Sequence, residues 1–527
     1  MHHCLNVDEI IRLLARTLVD SGAGATAVSL ARCCKSFEDP VLDALWVTQD
    51  RLLPLLRSLP GNVWKVEADR IVSLLAAFGS VPLPQSNCST EEKSSNRIPT
   101  EAEWSRFRKY ARGMRELKVD ASQDLVTPDV LLALQLRAGN DHLFPRLRTF
   151  VCEGIAEGFI PSIPLFLSSN VVSIRIQFVA SSPTVRVAST IARVSLLCPN
   201  LECITILIHN LPRHPFIAGA VSEMLLACNR DTLRQFMVNS PLTEEARRVL
   251  YQLPRLSHLS TTIQGPTSLP PVKLPNLIIL CLEYDHGHEW LKGFSGAALG
   301  KLKTVSFYTR SGSAPITNFL EELKRVALTT STQNTLSYFY FRTLQPWNPN
   351  YSSLLVFKHL IELVIEFSCR GGCSSRVDDN TVISLAEEMP KLKILQLGRP
   401  PCRTITGVTF KGLVALACRC IRLSKLCIHF RAHELVEATA GAEPSFSLEP
   451  VVLQTSCALT DLRVGETPIP PRSTLAVSMT LLQIFPQIRN VEHTNPEWKG
   501  VADAIRLFRR IGRHVHHASK PHLSRPV

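Results

Sequence analysis

The residues of this chain that could perform chemistry lie in short, isolated groups. Gly22-Ala-Gly24 lacks a third glycine and a preceding strand, so it does not match a loop that cradles nucleotide phosphates. Gly293-Phe-Ser295-Gly296 is one residue short of the turn that presents a nucleophilic serine. Cys427 and His429 would share a strand face, but a Cys/His hydrolase also needs an orienting third group and an oxyanion site. We therefore predict that the chain is not an enzyme; a hydrolase on an α/β sheet is the alternative.

Metal binding has three candidate groups, and each supplies only two ligands that are close in sequence. They are Cys369-Arg-Gly-Gly-Cys373, Cys418-Arg-Cys420 and His286-Gly-His288. A zinc site needs four converging ligands, usually as two close pairs. None of the three groups has a second pair nearby, so we expect no metal ion and no other cofactor.

Composition is typical of a folded protein without a membrane anchor or an export signal. Of the 527 residues, 45% are hydrophobic and 20% are charged, and no apolar stretch approaches the length of a membrane span. Residues 1–9 have no basic start followed by an apolar block, which is unlike a secretory signal. The 16 cysteines are irregularly spaced, and without export we expect them to be reduced. These features predict a cytoplasmic or nuclear protein.

The net charge of +13 is unevenly distributed along the chain, and its density is highest at the carboxyl end. Residues 485–527 hold eight Lys or Arg against three Asp or Glu, whereas the other 484 residues carry the remaining +8. A basic excess that is local rather than general gives little support to nucleic-acid binding. We therefore expect neither nucleic acid nor a membrane as a partner.

The elements that would position any site follow a repeated pattern. A short run recurs with apolar residues at positions one, four and six, and successive runs start 21 to 36 residues apart. The clearest copies start at Leu277, Leu360, Leu392, Leu423 and Leu459, and looser ones at Met114, Leu147, Val171, Leu201, Leu233, Leu256, Leu302, Leu336 and Ile488. This self-similarity looks like leucine-rich repeats.

Each run has the spacing of a strand with one buried face. The second and third apolar positions are two residues apart, so both side chains point the same way. Stretches with helical spacing, such as 187–197 and 382–389, lie between runs. Because no single unit can bury its own apolar edge, neighbours must stack. The pattern predicts an α/β fold, a leucine-rich-repeat solenoid with irregular strand–helix repeats.

A doubly wound parallel sheet is the alternative fold for strands interleaved with helices. Such sheets rarely need fourteen strands, and the same run would not recur so regularly. The asparagine that follows each strand in regular leucine-rich repeats is absent here. Asp285, Arg310 and Pro400 stand in such positions, so we expect irregular repeats.

Residues before the first run have the pattern of a small helical module. Leu5, Ile10, Leu14 and Leu18 have near-helical spacing, residues 21–24 break that helix, a second helix runs to Phe37, and Pro40 opens a third segment. Three short helices cannot bury all of their apolar surface alone. Trp46, Leu52 and Leu55 should therefore meet either a partner or the first repeats.

Four blocks of this module resemble the F-box of fungal F-box/leucine-rich-repeat proteins. They are Leu5-Asn-Val-Asp8-Glu9-Ile10, Ser29-Leu30-Ala31-Arg-Cys-Cys34-Lys-Ser-Phe37, Pro40-Val-Leu42-Asp43-Ala-Leu45-Trp46 and Leu55-Leu56-Arg-Ser-Leu59-Pro60. The Leu-Pro opening that is familiar in F-boxes is absent, since Asn6 follows Leu5.

The resemblance implies a small all-α F-box-like domain that binds a Skp-family adaptor and, through it, a cullin ubiquitin ligase. The repeats would then hold an unidentified protein substrate. The adaptor-binding residues so implied are Leu5, Ile10, Leu14, Leu30, Cys34, Phe37, Leu45 and Trp46. The alternative is a repeat scaffold whose N-terminal helices only cap the solenoid.

These patterns divide the chain into four parts. Residues 1–60 form the F-box-like module, and residues 61–103 form a connecting helix (61–79) and a flexible loop (80–100). Residues 104–495 form the solenoid. Residues 496–527 form an amphipathic capping helix, with Trp498 and Ile505 on its apolar face, and a basic tail.

Substrate binding is expected on the strand residues that alternate with the buried ones. Aromatic and arginine side chains are the usual anchors of protein interfaces. The preferred contact patch is Tyr338, Tyr340, Arg342, Glu362 and Glu366. The alternative is that these side chains only cover a solvated sheet face.

Overall fold

The structure is a computed structural model. It describes residues 8–60, 63–67, 70–74, 99–121, 126, 128–139, 141–155, 157–179, 185–209, 214–264, 272–284, 289–309, 319–344, 349–367, 377–398, 407–432, 456–465, 467–469 and 473–518. The chain divides into two compact units, the first ending at Leu256 and the second beginning at Ser257.

The first unit begins with a small helical module, as the sequence predicts. Its helices are α1 (Asp8–Asp20), α2 (Gly24–Cys33), α3 (Lys35–Val47) and the single turn α4 (Leu53–Leu56). Gly22, with φ +79°, makes the break between α1 and α2 in a conformation that costs glycine little. The third helix begins at Lys35 rather than at Pro40, so Phe37 belongs to α3. The core of the module is made by Ile11, Ala15, Ala27, Phe37, Val41 and Ala44.

The segment after the module forms a hairpin rather than the predicted helix. Strands β2 (Trp64–Glu67) and β3 (Arg70–Leu74) pair antiparallel, with Val66 opposite Ile71. The prediction of a helix over 61–79 is therefore wrong at these residues. The β-branched side chains favour strands, and runs of four and five residues are too short to separate the two periodicities. Most of the predicted loop, residues 80–98, lies outside the described residues.

The rest of the first unit alternates strands with helical segments. Its parallel strands, in spatial order, are β1 (Thr48–Gln49), β4 (Glu116–Asp120), β5 (Thr149–Ile155), β6 (Ser173–Phe178), β7 (Cys203–Ile208) and β8 (Gln235–Pro241). Its α-helices are α5 (Glu101–Gly113), α6 (Pro128–Ala138), α7 (Val185–Leu197), α8 (Pro215–Ala227) and α9 (Glu244–Leu250). Glu157–Phe166 is a 3-10 segment.

The second unit follows the same plan. Its parallel strands, in spatial order, are β9 (His258–Ile263), β10 (Ile279–Tyr284), β11 (Thr304–Thr309), β12 (Tyr338–Thr343), β13 (Glu362–Phe367), β14 (Ile394–Leu397), β15 (Lys425–Cys427), β16 (Asp461–Gly465) and β17 (Asn490–His493). Its α-helices are α10 (Phe319–Thr330), α11 (Asp379–Glu388), α12 (Phe410–Arg419), α13 (Thr474–Ile484) and α14 (Trp498–Ala518). The 3-10 segments are Glu289–Phe294, Thr332–Asn334 and Tyr351–Val356.

The predicted repeats are confirmed strand by strand. Every one of the fourteen runs has a described strand that begins two residues after its first apolar position, and all fourteen of those first residues are buried, as Leu277 and Leu360 illustrate. Within each unit the strands follow one another in chain order, whereas a doubly wound sheet reverses that order. The fold is therefore an α/β array of strand–helix repeats, as expected of a solenoid. The mixture of α-helices and 3-10 segments between strands makes the repeats irregular.

The C-terminal helix closes the second unit at its last strand. Trp498, Val501 and Ile505 of α14 are fully buried, and the Trp498 indole Nε1 donates a hydrogen bond to the Thr467 carbonyl oxygen at 2.7 Å. The predicted amphipathic helix is thus confirmed. Its Arg509 guanidinium donates to backbone carbonyl oxygens of residues 486–488, so part of the basic charge caps the preceding turn. Across the part of the chain that the structure describes, we find no helix with the length and apolarity that a membrane crossing requires.

Candidate functional site

The helical module exposes an apolar stripe on α1. The side chains of Ile10, Leu13 and Leu14 are 41%, 67% and 40% exposed, whereas Ile11 and Ala15 on the opposite side are buried. Residues three and four apart lie on the same side of a helix, so these three form one surface, here called the α1 patch. The sequence prediction contained Ile10 and Leu14 but missed Leu13. Leu13 could have been found from the sequence, because α1 has apolar residues on both of its sides.

The other predicted adaptor-binding residues have different surroundings. Leu30, Cys34 and Leu45 are half-buried and pack against the core of the module. Phe37 is part of that core, with 5% of its surface exposed. Leu5 lies outside the described residues. The structure therefore brings Ile10 and Leu14 to the surface together and places Phe37 inside.

Trp46 contacts the strand–helix array rather than solvent alone. Its indole stacks on the ring of Tyr110 in α5, with centroids 4.8 Å apart and planes inclined by 12°. An ion pair joins Lys109 Nζ to Asp39 Oδ1 at 2.7 Å, beside this stack. Leu52 and Leu55 are buried, at 1% and 0% exposed, and their turn α4 packs against α5. Of the two outcomes expected for these apolar residues, docking onto the first repeats is the one observed.

The predicted substrate patch forms one connected surface in the second unit. Neighbouring strands align Tyr338 with Glu362 and Arg342 with Glu366. The hydroxyl of Tyr340 donates a hydrogen bond to the Glu362 carboxylate, and Arg342 Nε lies 3.4 Å from Glu366 Oε2. Burial, followed by the hydrogen bond to Glu362, raises the pKa of the Tyr340 hydroxyl, which therefore stays protonated as a donor. All five predicted residues thus lie on the outward face of β12 and β13, and the Tyr340–Glu362 and Arg342–Glu366 contacts form the network there.

Arg342 also extends the network toward the preceding strand. Its guanidinium carbon lies 5.6 Å from the centre of the Tyr308 ring on β11, which is within the range of a cation–π contact. On the other side, Gln396 of β14 donates a hydrogen bond from Nε2 to Glu366 Oε1 at 3.0 Å. The connected surface therefore spans strands β11 to β14.

A cavity of about 320 Å³ adjoins this network over strands β12 to β17. We name it the Tyr340 cavity. Its lining includes the ring of Tyr340, the apolar side chains of Val364 and Ile394, and the carboxylates of Asp461 and Glu492. A second cavity, of about 390 Å³, lies beside it and shares Gln396, Arg463 and Glu492 with it. Neither cavity was predicted from the sequence. Each cavity depends on short outward side chains meeting across neighbouring strands, which the pattern of a single strand does not show.

Charges around the Tyr340 cavity are fixed by neighbouring donors. Asp461 accepts hydrogen bonds from Asn490 Nδ2 at 2.8 Å and Thr460 Oγ1 at 2.6 Å, and these bonds hold the pKa of its carboxyl below the ordinary value. Arg463 Nε donates to Glu492 Oε2 at 2.6 Å. The Asp461 carboxylate is therefore charged at neutral pH, and Glu492 is paired with an arginine.

Cys427 contributes a neutral thiol to the same cavity. It is 6% exposed, and burial raises the pKa of its thiol to about 12. A buried thiol of this kind behaves as a small apolar group. It adds to the apolar floor made by the cavity's aliphatic side chains.

The predicted metal candidates are only partly described. Cys369, Cys373, His286 and His288 lie outside the described residues. Cys418 is exposed, whereas the neighbouring Cys420 is fully buried. Within the described ranges, no group of three or more His, Cys, Asp or Glu side chains is placed to hold a metal ion.

Comparisons with known proteins give no family assignment. No protein-family model matches the chain, and no curated protein matches it. Among the solved structures that match is the crystal structure of the Rad7 and Elc1 complex in yeast. That match is 16% identical, covers 76% of this chain and 92% of that chain, and has a TM-score of 0.38. At this TM-score the likeness carries no argument about function.

Proposed function

We propose that this chain is the substrate-recognition subunit of a Skp/cullin/F-box ubiquitin ligase. Its N-terminal helices would bind a Skp-family adaptor and, through it, a cullin, while the outward strand face would bind a protein substrate. The chain itself would perform no chemistry, and it would act in the cytoplasm or nucleus. The observation that carries the proposal is the α1 patch, in a module whose sequence blocks resemble an F-box.

The α1 patch has the form of a helix surface that docks in an apolar groove. Ile10, Leu13 and Leu14 have the three- and four-residue spacing by which amphipathic helices are recognised. Full burial of one such side chain contributes about 1.5–3 kcal/mol. Because Ile10, Leu13 and Leu14 are 40–67% exposed, a partner that covers them would recover about half of this energy at each position.

Half-buried residues of the predicted set would support this surface from beneath. Leu30 and Leu45 pack against the core that holds α1 in place. Substitutions there would disturb the module as well as its surface. The α1 patch is therefore the better place to test adaptor binding.

The alternative function is a repeat scaffold whose N-terminal helices only cap the array. It is favoured by the Trp46–Tyr110 stack and by the ion pair between Lys109 and Asp39, which attach α3 to α5. The two functions differ in what they require of the α1 patch. A cap needs only the docked side of the module, whereas an adaptor needs the exposed side as well.

The test is co-expression of the full chain with a Skp-family adaptor, followed by size-exclusion chromatography. We expect a one-to-one complex that is lost with Leu13→Glu, since a buried charge without a partner costs several kcal/mol. The matched control is Leu132→Glu on α6, because Leu132 is also exposed, at 52%, but lies outside the module. Equal capture by both variants, or no complex with the unaltered chain, would contradict adaptor binding and favour the scaffold.

A further inference from the structure

The outward strand face of the second unit is acidic although the chain as a whole is basic. Its described strands present five carboxylates, Glu283, Glu362, Glu366, Asp461 and Glu492, and three basic side chains, Arg342, Lys425 and Arg463. The net charge of the chain is +13. The sign of the charge on this face is therefore opposite to that of the protein.

Two of these carboxylates are held by neutral donors. Glu362 accepts from the Tyr340 hydroxyl, and Asp461 accepts from Asn490 and Thr460. Neutral donors orient a carboxylate without cancelling its charge. By contrast, Glu366 and Glu492 face arginine partners across the strands.

Glu362 and Asp461 both line the Tyr340 cavity, together with the exposed Lys425, which lies on the strand between Ile394 and Asp461. Lys425 offsets one of the two negative charges. The ion pair of Arg463 with Glu492, which also lines the cavity, adds no net charge. The charged side chains that line the cavity therefore sum to one negative charge above an apolar floor, and Arg489, which is not part of the lining, also acts on Asp461.

We propose that the Tyr340 cavity binds a lysine or arginine side chain of an extended basic segment in the partner protein. The aliphatic stem of such a side chain would lie on Val364, Ile394 and the neutral thiol of Cys427. Its cationic head would reach the carboxylate of Glu362 or that of Asp461, which lie three strands apart at opposite ends of the cavity. The Tyr340 ring adds an aromatic wall, which also attracts cations.

This inference rests on the proposed function, because it names the substrate class for the strand face that the proposal assigns to substrate. An extended segment with a basic residue at the Tyr340 cavity fits best. In an extended chain every second side chain points the same way. Neighbouring side chains of the segment would then meet the Arg342–Glu366 and Arg463–Glu492 ion pairs, which line the adjoining cavity.

The test is fluorescence anisotropy with the full chain and a labelled nonapeptide of alternating arginine and serine. A matched nonapeptide with glutamate in place of arginine is the sequence control. We expect the arginine peptide alone to bind, and to bind less tightly as salt is added. Asp461→Asn and Glu362→Gln should each weaken binding about tenfold, which corresponds to the loss of one charge-assisted hydrogen bond.

The matched control variant is Glu283→Gln, which removes one negative charge from the same face on β10, outside both cavities. We expect it to leave the affinity within about twofold of the unaltered chain. The amide of Glu362→Gln keeps an oxygen acceptor for the Tyr340 hydroxyl. The amide of Asp461→Asn keeps an oxygen for Asn490, and its NH2 can donate to the Thr460 hydroxyl. Unchanged thermal unfolding would confirm that these variants fold.

Three outcomes would overturn the inference: no binding of the arginine peptide, equal or tighter binding of the glutamate peptide, or an equal loss of affinity in Glu283→Gln and Asp461→Asn. The last outcome would show that the general charge of the face, not the cavity, attracts the peptide. Peptide binding is measured without the adaptor. A failure of adaptor capture is therefore distinguishable from a failure of this inference.

Discussion

Replacement of Gly465 by alanine should destabilise the second unit through two separate effects. Gly465 ends β16 with φ +59°, a conformation that costs a residue with a Cβ about 1–2 kcal/mol. An added Cβ would also overlap Cε1 of the His429 imidazole and lie 2.8 Å from its Nε2. His429 is only 5% exposed, so its ring cannot move away into solvent.

The size of the second effect follows from the cost of overpacking. Forcing extra volume into a packed core costs about 1–3 kcal/mol. Gly296 provides the control, because it has a similar φ of +77° but nothing within 4 Å of its added Cβ. Gly296→Ala should therefore show the backbone cost alone. Gly465→Ala should cost about 2 kcal/mol more than the control, which lowers Tm by about 4–8 °C further.

The assay is thermal unfolding of the full chain followed by tryptophan fluorescence. Trp498 is a suitable probe because it is fully buried and its ring meets that of Phe430 edge-on, with centroids 5.7 Å apart. Phe430 directly follows His429 in the sequence. Both glycine variants should unfold at lower temperature than the unaltered chain. Equal Tm values for Gly465→Ala and Gly296→Ala would refute the reasoning, because the contact with His429 would then contribute nothing.

Two further predictions concern protonation. The Asp378 carboxylate caps α11 by accepting hydrogen bonds from Thr381 Oγ1 and N, at 2.6 Å and 2.8 Å, which lower its pKa below the ordinary 3.8. A carboxyl whose pKa is lower in the folded state stabilises the fold above its ordinary pKa, and this stability is lost as pH falls through the folded-state pKa. Asp378→Asn should therefore lose less Tm than the unaltered chain as pH falls below about 4. Parallel curves of Tm against pH for the two proteins would contradict this. Iodoacetamide should label the exposed Cys33 and Cys418 in the native chain, but not Cys427, whose buried thiol has a pKa raised to about 12. Mass spectrometry after a limited reaction time identifies the labelled cysteines. Early labelling of Cys427 would contradict the burial of its thiol.

The sequence by itself determined the strands and most of the helices that separate them. In each run the apolar residues stand at positions one, four and six. All three can be buried together if positions four and six lie on one face of a strand and the first residue turns inward just before it. That constraint is local, so it could be read at Leu360 or Leu392 without knowledge of the neighbours. Recurrence of the run then required stacking in chain order, because each unit lacks a core of its own.

Tertiary structure decided which of these side chains meet. The contacts of Trp46 with Tyr110 and of Tyr340 with Glu362 join residues that are 64 and 22 positions apart, and they depend on strand register and on docking angles that no local pattern contains. The β2–β3 hairpin was missed for a related reason. Its strands are too short for their periodicity to be decisive, so cross-strand pairing selected the conformation.

The candidate sites divide in the same way. Outward positions such as Tyr340, Arg342 and Glu366 follow from alternation along a strand and could be predicted. The Tyr340 cavity could not, because it arises where Val364 and Cys427, two strands apart at the same register, present short side chains. Alternation along a strand determines the direction in which a side chain points, but the space left beside it is determined by its neighbours across the sheet.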